Sequence, residues 1–278
     1  MRTEHNGSFA TATGATDESS LLDAYHRAFS AELRQMIADL SLRPDSRVLD
    51  LACGDGSYAI WLGERCPSGL VVGVDAAMQN LSRARRRGPI PGCVRWLKAD
   101  VGRLPFPNGT FDLVWCAQSL VSLPDAVAAL REMGRVTRPD GVVAVLEDDS
   151  LHQILLPWPV DLEMRVRDAE FRALRQSTPD YATRYIGRQL PAYFLAAGLT
   201  PEFRRTYTAD RMAPLAAADR EFLVHYLAQL EERVRGVLDH RTHARLERLC
   251  DPSSPHFIAD QPGFSMTCVE VVVWGRRR

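Results

Sequence analysis

The sequence has no apolar run long enough to cross a bilayer, and its first twenty residues, MRTEHNGSFATATGATDESS, lack the basic start and apolar stretch of a signal peptide. Neither a membrane anchor nor export is expected, which places the chain in the cytoplasm. It also lacks an excess of either charge: 34 Lys and Arg stand against 35 Asp and Glu. Without a basic field, nucleic acid and anionic membrane surfaces are not expected as partners. The cluster Arg83, Arg85, Arg86 and Arg87 reads as a solvated helix face, and Arg276, Arg277 and Arg278 as a solvated end. No CxxC pair occurs among the six cysteines, several of which sit in apolar, strand-like runs. Reduced, buried thiols follow, with neither disulfides nor zinc. His240 and His243 lie three apart with no third ligand spaced nearby, so no metal is expected.

What is present is a chain of 278 residues with 46% hydrophobic content, enough for one large domain carrying an insertion. Residues 1–18 are small and polar and read as a flexible tail. From Leu21, apolar residues recur at three and four through Tyr25, Phe29, Leu33 and Ile37, predicting an amphipathic lid helix, capped by Ser19 or Ser20 and stopped before Pro44. Strands are then predicted at 47–51, 70–74, 94–98, 111–116 and 142–146, with helices at 58–65, 77–87 and 126–136. The strands are solid aliphatic runs without polar alternation, as a sheet covered on both faces requires. The expected fold is α/β: a doubly wound, Rossmann-like, mostly parallel seven-stranded sheet with helices on both faces and an antiparallel last strand. Arg138-Pro139-Asp140-Gly141 reads as a turn before strand five.

These elements divide the chain into a cofactor-binding core over 19–149, a helical cap over 150–190 without strands of its own, and the remainder of the core over 191–278. Within that remainder a helix closes on Gly198, residues 200–208 return to the sheet, a helical insertion occupies about 214–250, and SMTCVEVVVWG supplies the last strand.

The stretch VLDLACGDGSYA, residues 48–59, holds Gly54, Gly56 and Ala59 in a G-x-G-x-x-A pattern, and Asp75 ends the next strand about twenty residues on, as in a dinucleotide site. By itself this favours NAD. Yet Asp50 before the turn and Asp55 within it would oppose a pyrophosphate by on the order of a kcal/mol each. A cationic cofactor reverses that sign.

On these residues the chain resembles a class I S-adenosylmethionine-dependent methyltransferase over roughly residues 20 to 150. The family's first motif reads Asp50-Leu51-Ala52-Cys53-Gly54-Asp55-Gly56, with Ala52 in place of its first glycine. The resemblance implies that Gly54 and Gly56 let the backbone approach the cofactor, that Asp50 helps to hold its amino-acid end, and that Asp75 accepts from the ribose hydroxyls. Ala76 and Met78 would flank the adenine, and Asp100 and the Val101 amide would meet its edge. Ala117, Gln118 and Ser119 would lie beside the sulfonium, and Tyr25 on the lid helix would touch the cofactor. FPNGTFDLV and GRVTRPDGVVAV are similar to later parts of the quinone and natural-product branch, which implies a small-molecule acceptor; a homodimer is compatible with this.

Methyl transfer is a displacement whose leaving group is already good, so the enzyme's main tasks are alignment and exclusion of water. After strand five the chain offers Glu147, Asp148, Asp149 and His152, and His152 and Glu147 are the candidates for acid–base work. Trp158, Tyr181, Tyr185 and Tyr193 are candidates for an aromatic acceptor wall, and Arg184 and Arg188 for pairing an acceptor carboxylate. The competing readings are an NAD(P)-dependent oxidoreductase and a protein of methyltransferase fold that binds the cofactor without transferring a methyl group.

Overall fold

The structure, a computed structural model, describes residues 15–177 and 181–277. Residues 1–14 of the expected tail and Pro179 lie outside the described residues, as does the side chain of Tyr181.

The chain enters through two helices, α1 (Ala15–Ala28) and α2 (Ser30–Ala38). One helix was expected here, starting later. Phe29 leaves the helical region at φ −113° and ψ 18°, although the bonds Phe29 N–H to Tyr25 C=O and Leu33 N–H to Phe29 C=O carry the ladder across the break. The core then alternates β1 (Arg47–Leu51), α3 (Ser57–Arg65), β2 (Leu70–Asp75), α4 (Met78–Arg86), β3 (Val94–Lys98), β4 (Phe111–Ala117), α5 (Ala126–Val136) and β5 (Thr137–Glu147). The expected turn at 138–141 is a bulge inside β5: Phe111 pairs with Thr137, and the ladder resumes at Leu113 with Val142.

The second half holds β6 (Ile154–Leu155), α6 (Val160–Ser177), α7 (Ile186–Ala196), β7 (Leu199–Met212), α8 (Ala217–Val234), α9 (His240–Cys250) and β8 (Ser265–Arg277). The sheet runs β3-β2-β1-β4-β5-β8, with β6 and β7 both pairing with β8; β1 to β5 are parallel and β8 is antiparallel to its neighbours. The seven expected strands are all present. The eighth, β6, lies in the segment expected to be free of strands, where two residues pair with Cys268 and Thr267.

Side-chain alternation along the buried strands sends Val48, Leu113, Trp115 and Leu146 into one core and Leu49, Val114, Cys116 and Val145 into the other. The first core is covered by α1, α2, α3, α6 and α8; on it Tyr25 and Phe29 pack their rings against Phe222 of α8. The second is covered by α5 and α7. Cap helix α6 is tied to α8 by the ion pair of Glu170 with Arg233 at 2.6 Å. Strand order reverses between β1 and β4, so the carboxyl ends of β1, β2 and β4 border the crevice where open α/β sheets bind ligands.

Candidate functional site

After β1 the backbone turns through left-handed residues, Ala52 (φ 54°), Gly54 (φ 54°) and Gly56 (φ 83°). The two glycines are needed for different reasons. A Cβ on Gly54 would meet nothing within 4 Å, so the turn presents open space there. A Cβ on Gly56 would overlap the Trp96 indole and come within 2.9 Å of the Ala84 Cβ. Gly56 is therefore demanded by packing inside the protein, whereas Gly54 borders the crevice.

The loops along this edge are stitched into one surface. Asp75 accepts the Gly54 N–H at 3.0 Å and the Ala77 N–H at 2.8 Å, and Asn80 donates to it at 3.2 Å. The Ser119 hydroxyl donates to the carbonyl oxygens of Ala117 at 2.8 Å and Ala52 at 3.4 Å. Glu147, at the end of β5, accepts the N–H groups of Ser119 at 2.9 Å and Leu120 at 2.6 Å. Gln118, left-handed at φ 49°, donates its N–H to Leu146 at 2.8 Å. The structure thus brings Asp50, Ala52, Gly54, Asp75, Ala117, Gln118, Ser119 and Glu147 to one edge. Asp100 and Ala76 are exposed beyond β3 and β2, Val101 is half-buried and Met78 is exposed. Asp100 accepts the Gly102 N–H at 2.8 Å.

The edge holds buried acid. Asp50 is buried, and burial pushes its carboxyl well above the usual range despite a hydrogen bond from the Ala59 backbone. Burial and then the charge of Asp148 push Glu147 up to about 8. Sequence reasoning passed over Glu270 on β8, whose Oε1 accepts from the Tyr25 hydroxyl and from Gln118 Nε2, the latter at 3.2 Å. Its signal was legible: Glu270 is the one charge inside SMTCVEVVVWG. Three buried oxygens, Asp50 Oδ2, Gln118 Oε1 and Glu270 Oε2, have no hydrogen-bond partner, and neither do the Tyr58 hydroxyl and the Trp115 Nε1 beside them. An unpaired buried polar atom is costly, so this edge is chemically suited to a ligand that brings hydrogen-bonding groups and, against its carboxyls, positive charge.

Asp55 is arranged differently from Asp50. It caps the start of α3 by accepting from the Ser57 N–H and hydroxyl, lies 3.5 Å from His26 Nδ1, and pairs with Arg87. Burial would raise its pKa, but the neighbouring His26, Asp23 and Arg87 side chains hold it well below the usual range. Its negative charge is answered within the protein. Arg87, expected on a solvated helix face, is the residue that answers it.

The remaining candidates disperse. His152 is exposed on the turn after β5, where its N–H donates to the Asp149 carbonyl at 2.7 Å. Arg188 is paired with Asp149, Nη2 lying 2.6 Å from Oδ1. Trp158 belongs to the first core and Tyr193 packs against the second, so these two do not form a common wall. Tyr185 lies beneath the Arg188 guanidinium, 5.7 Å from it. Among the described residues no cluster suits a metal ion, and no helix is long and apolar enough to cross a membrane.

Residues 49–145 match the methyltransferase domain family. The demethylmenaquinone methyltransferase of Thermus thermophilus is 44% identical over 124 residues, covering 43% of this chain and 56% of that protein. An uncharacterized methyltransferase of Schizosaccharomyces pombe is 29% identical over 167 residues, covering 57% of this chain and 60% of its own. The chain spans little more than half the length of these relatives. The YcgJ protein of Bacillus subtilis shares the fold, with a TM-score of 0.52 at 18% identity over 94% of this chain and 99% of that one.

Proposed function

We propose that this chain, whose residues 49–145 match the methyltransferase domain family, moves the methyl group of S-adenosylmethionine to a small organic acceptor. The observation that carries this reading is the set of unpartnered buried acceptors, Asp50 Oδ2, Gln118 Oε1 and Glu270 Oε2, beside the open turn at Gly54. A dinucleotide's pyrophosphate would bring more acceptors and negative charge to that edge; an ammonium and a sulfonium bring what it lacks.

In this reading Asp75, already oriented by Gly54 and Ala77, receives the ribose hydroxyls, and Asp100 with the Val101 amide receives the adenine edge between Ala76 and Met78. Asp50 and the turn at Ala52, Gly54 and Gly56 face the amino-acid end, with Ala117, Gln118 and Ser119 along the sulfonium and Tyr25 closing from α1. The bound cofactor supplies an electrophilic methyl group and a neutral leaving group. The protein's part is to align the acceptor and exclude water. For acid–base work, Glu147 is the buried candidate and His152 the exposed one at the rim. The demethylmenaquinone methyltransferase relatives favour a quinone-type acceptor.

Calorimetric titration with S-adenosylhomocysteine and with NAD tests the cofactor: binding of the first and not the second is expected, and binding of NAD alone overturns the reading. Incubation with methyl-labelled cofactor and demethylmenaquinone-like naphthoquinols tests the acceptor, with label in the organic phase as the expected result.

A further inference from the structure

Glu270 belongs to none of the cofactor motifs, although its Oε2 is one of the three unpartnered oxygens of the edge. It is 7% exposed, and its backbone is paired with Tyr207 on β7. Its carboxyl is held from two other elements, by the Tyr25 hydroxyl of α1 and the Gln118 amide after β4. The titratable groups facing it are the carboxyls of Asp148 and Glu147 at the end of β5. Tyr58 of α3 faces both Glu270 and Asp50, and its hydroxyl is buried without a partner. Cys268 on the same strand adds no positive charge, and the nearby Arg211 is held by Glu32 and Asp219. A carboxyl among carboxyls and phenols, with one oxygen free and no cation of its own, is arranged to hold a proton until positive charge arrives.

The geometry points to Glu270 as the residue that tells the cationic cofactor from its neutral product: its carboxyl gives up a proton when the sulfonium form binds and keeps it when the thioether form binds. The inference rests on the proposed cofactor. Gln118 is the link, because its backbone borders the proposed sulfonium position while its side chain touches Glu270 at 3.2 Å. Burial and then the neighbouring Asp148 raise the carboxyl well above its ordinary range, and among the described residues no cation stands against it to reverse this. Arrival of a sulfonium favours the carboxylate, which Tyr25 and Gln118 are already placed to receive as donors. After transfer the sulfur is uncharged, the carboxyl takes its proton back, and the product loses an electrostatic partner.

The test uses the full chain and calorimetry in two buffers of different ionisation enthalpy near neutral pH. S-adenosylmethionine is expected to release about one proton more than S-adenosylhomocysteine, and its relative affinity to rise by up to about tenfold per pH unit. Glu270→Gln should erase that difference while both ligands still bind, and Glu270→Asp should restore it. An infrared difference spectrum of the unaltered protein provides a readout independent of any variant's folding: a protonated-carboxyl band should be lost with S-adenosylmethionine and kept with S-adenosylhomocysteine. Equal proton release for the two ligands, or a difference that persists in Glu270→Gln and disappears in Glu147→Gln, overturns the assignment. Binding of neither ligand overturns the cofactor reading itself, a result distinguishable from the others.

Discussion

The Gly54 N–H donates to the Asp75 carboxylate at 3.0 Å, so the turn after β1 and the end of β2 behave as one piece. Because the same carboxylate also accepts the Ala77 N–H at 2.8 Å, it fixes the entry to α4 as well. Its position is set by the fold before any ligand arrives.

Asp75→Ala should therefore act twice. Two backbone donors lose their acceptor, costing about 1 to 3 kcal/mol of stability in denaturant unfolding. The affinity for S-adenosylhomocysteine should fall at least tenfold by calorimetry. Asp75→Asn keeps one acceptor oxygen but sets its NH2 against the other N–H, so it should recover only part of the stability. Unchanged affinity in both variants would remove Asp75 from the proposed ribose site.

The two glycines of the turn should respond differently to alanine. Gly56→Ala drives a methyl group into the Trp96 indole at a left-handed backbone position and should cost about 2 to 3 kcal/mol or more. Gly54→Ala meets no atom within 4 Å and should cost only the left-handed strain, about 1 kcal/mol, while weakening cofactor binding. Urea unfolding paired with ligand titration separates these outcomes.

Glu147 ties stability to pH. Its carboxyl rises from 4.5 to about 8 on folding, so the native state holds a proton that the unfolded chain releases. Its contribution is complete below the unfolded value and declines as pH rises toward about 8. Glu147→Gln resembles the protonated form and still offers an oxygen to the Ser119 and Leu120 N–H groups. Thermal midpoints measured from about pH 5 to 8 should fall less steeply in the variant than in the parent.

Asp55 has the opposite sign. Its pKa is lowered on folding, so its contribution is complete above the ordinary carboxylate range and is lost as pH falls through the depressed value. Arg87→Ala removes a half-buried partner and should cost about 1 to 2 kcal/mol at neutral pH. That deficit should narrow only on strong acidification, as followed by circular dichroism. A deficit that is constant with pH would assign the loss to packing.

The strands of the parallel core were legible because most hold a short apolar run bounded by turn residues, and β1 and β3 run over the residues expected. β6 was not, since two residues carry no periodicity and pair only because β8 extends past the end of β5. Nor was the break at Phe29, where no glycine or proline marks it and the apolar spacing continues. At the site, the acidic turn pointed to a cationic ligand, yet its two carboxylates part company in the fold. Asp50 is left with a free oxygen, while Asp55 is answered by His26 and Arg87, partners distant in sequence that local spacing does not reveal. Glu270 was visible as a lone charge in an apolar strand, but its relation to Tyr25, 245 residues away, exists only in three dimensions.

The Trp96 indole occupies the space above both Gly56 and Gly73, where an added Cβ on either would overlap it. Three positions on different elements thus share a single volume. A side chain can be gained at either glycine only if the indole shrinks, and shrinking the indole alone leaves a hole under the turn. Divergence at these sites must travel as a set, so relatives that replace the tryptophan with a smaller residue are where a bulkier residue at the second or third position becomes permissible.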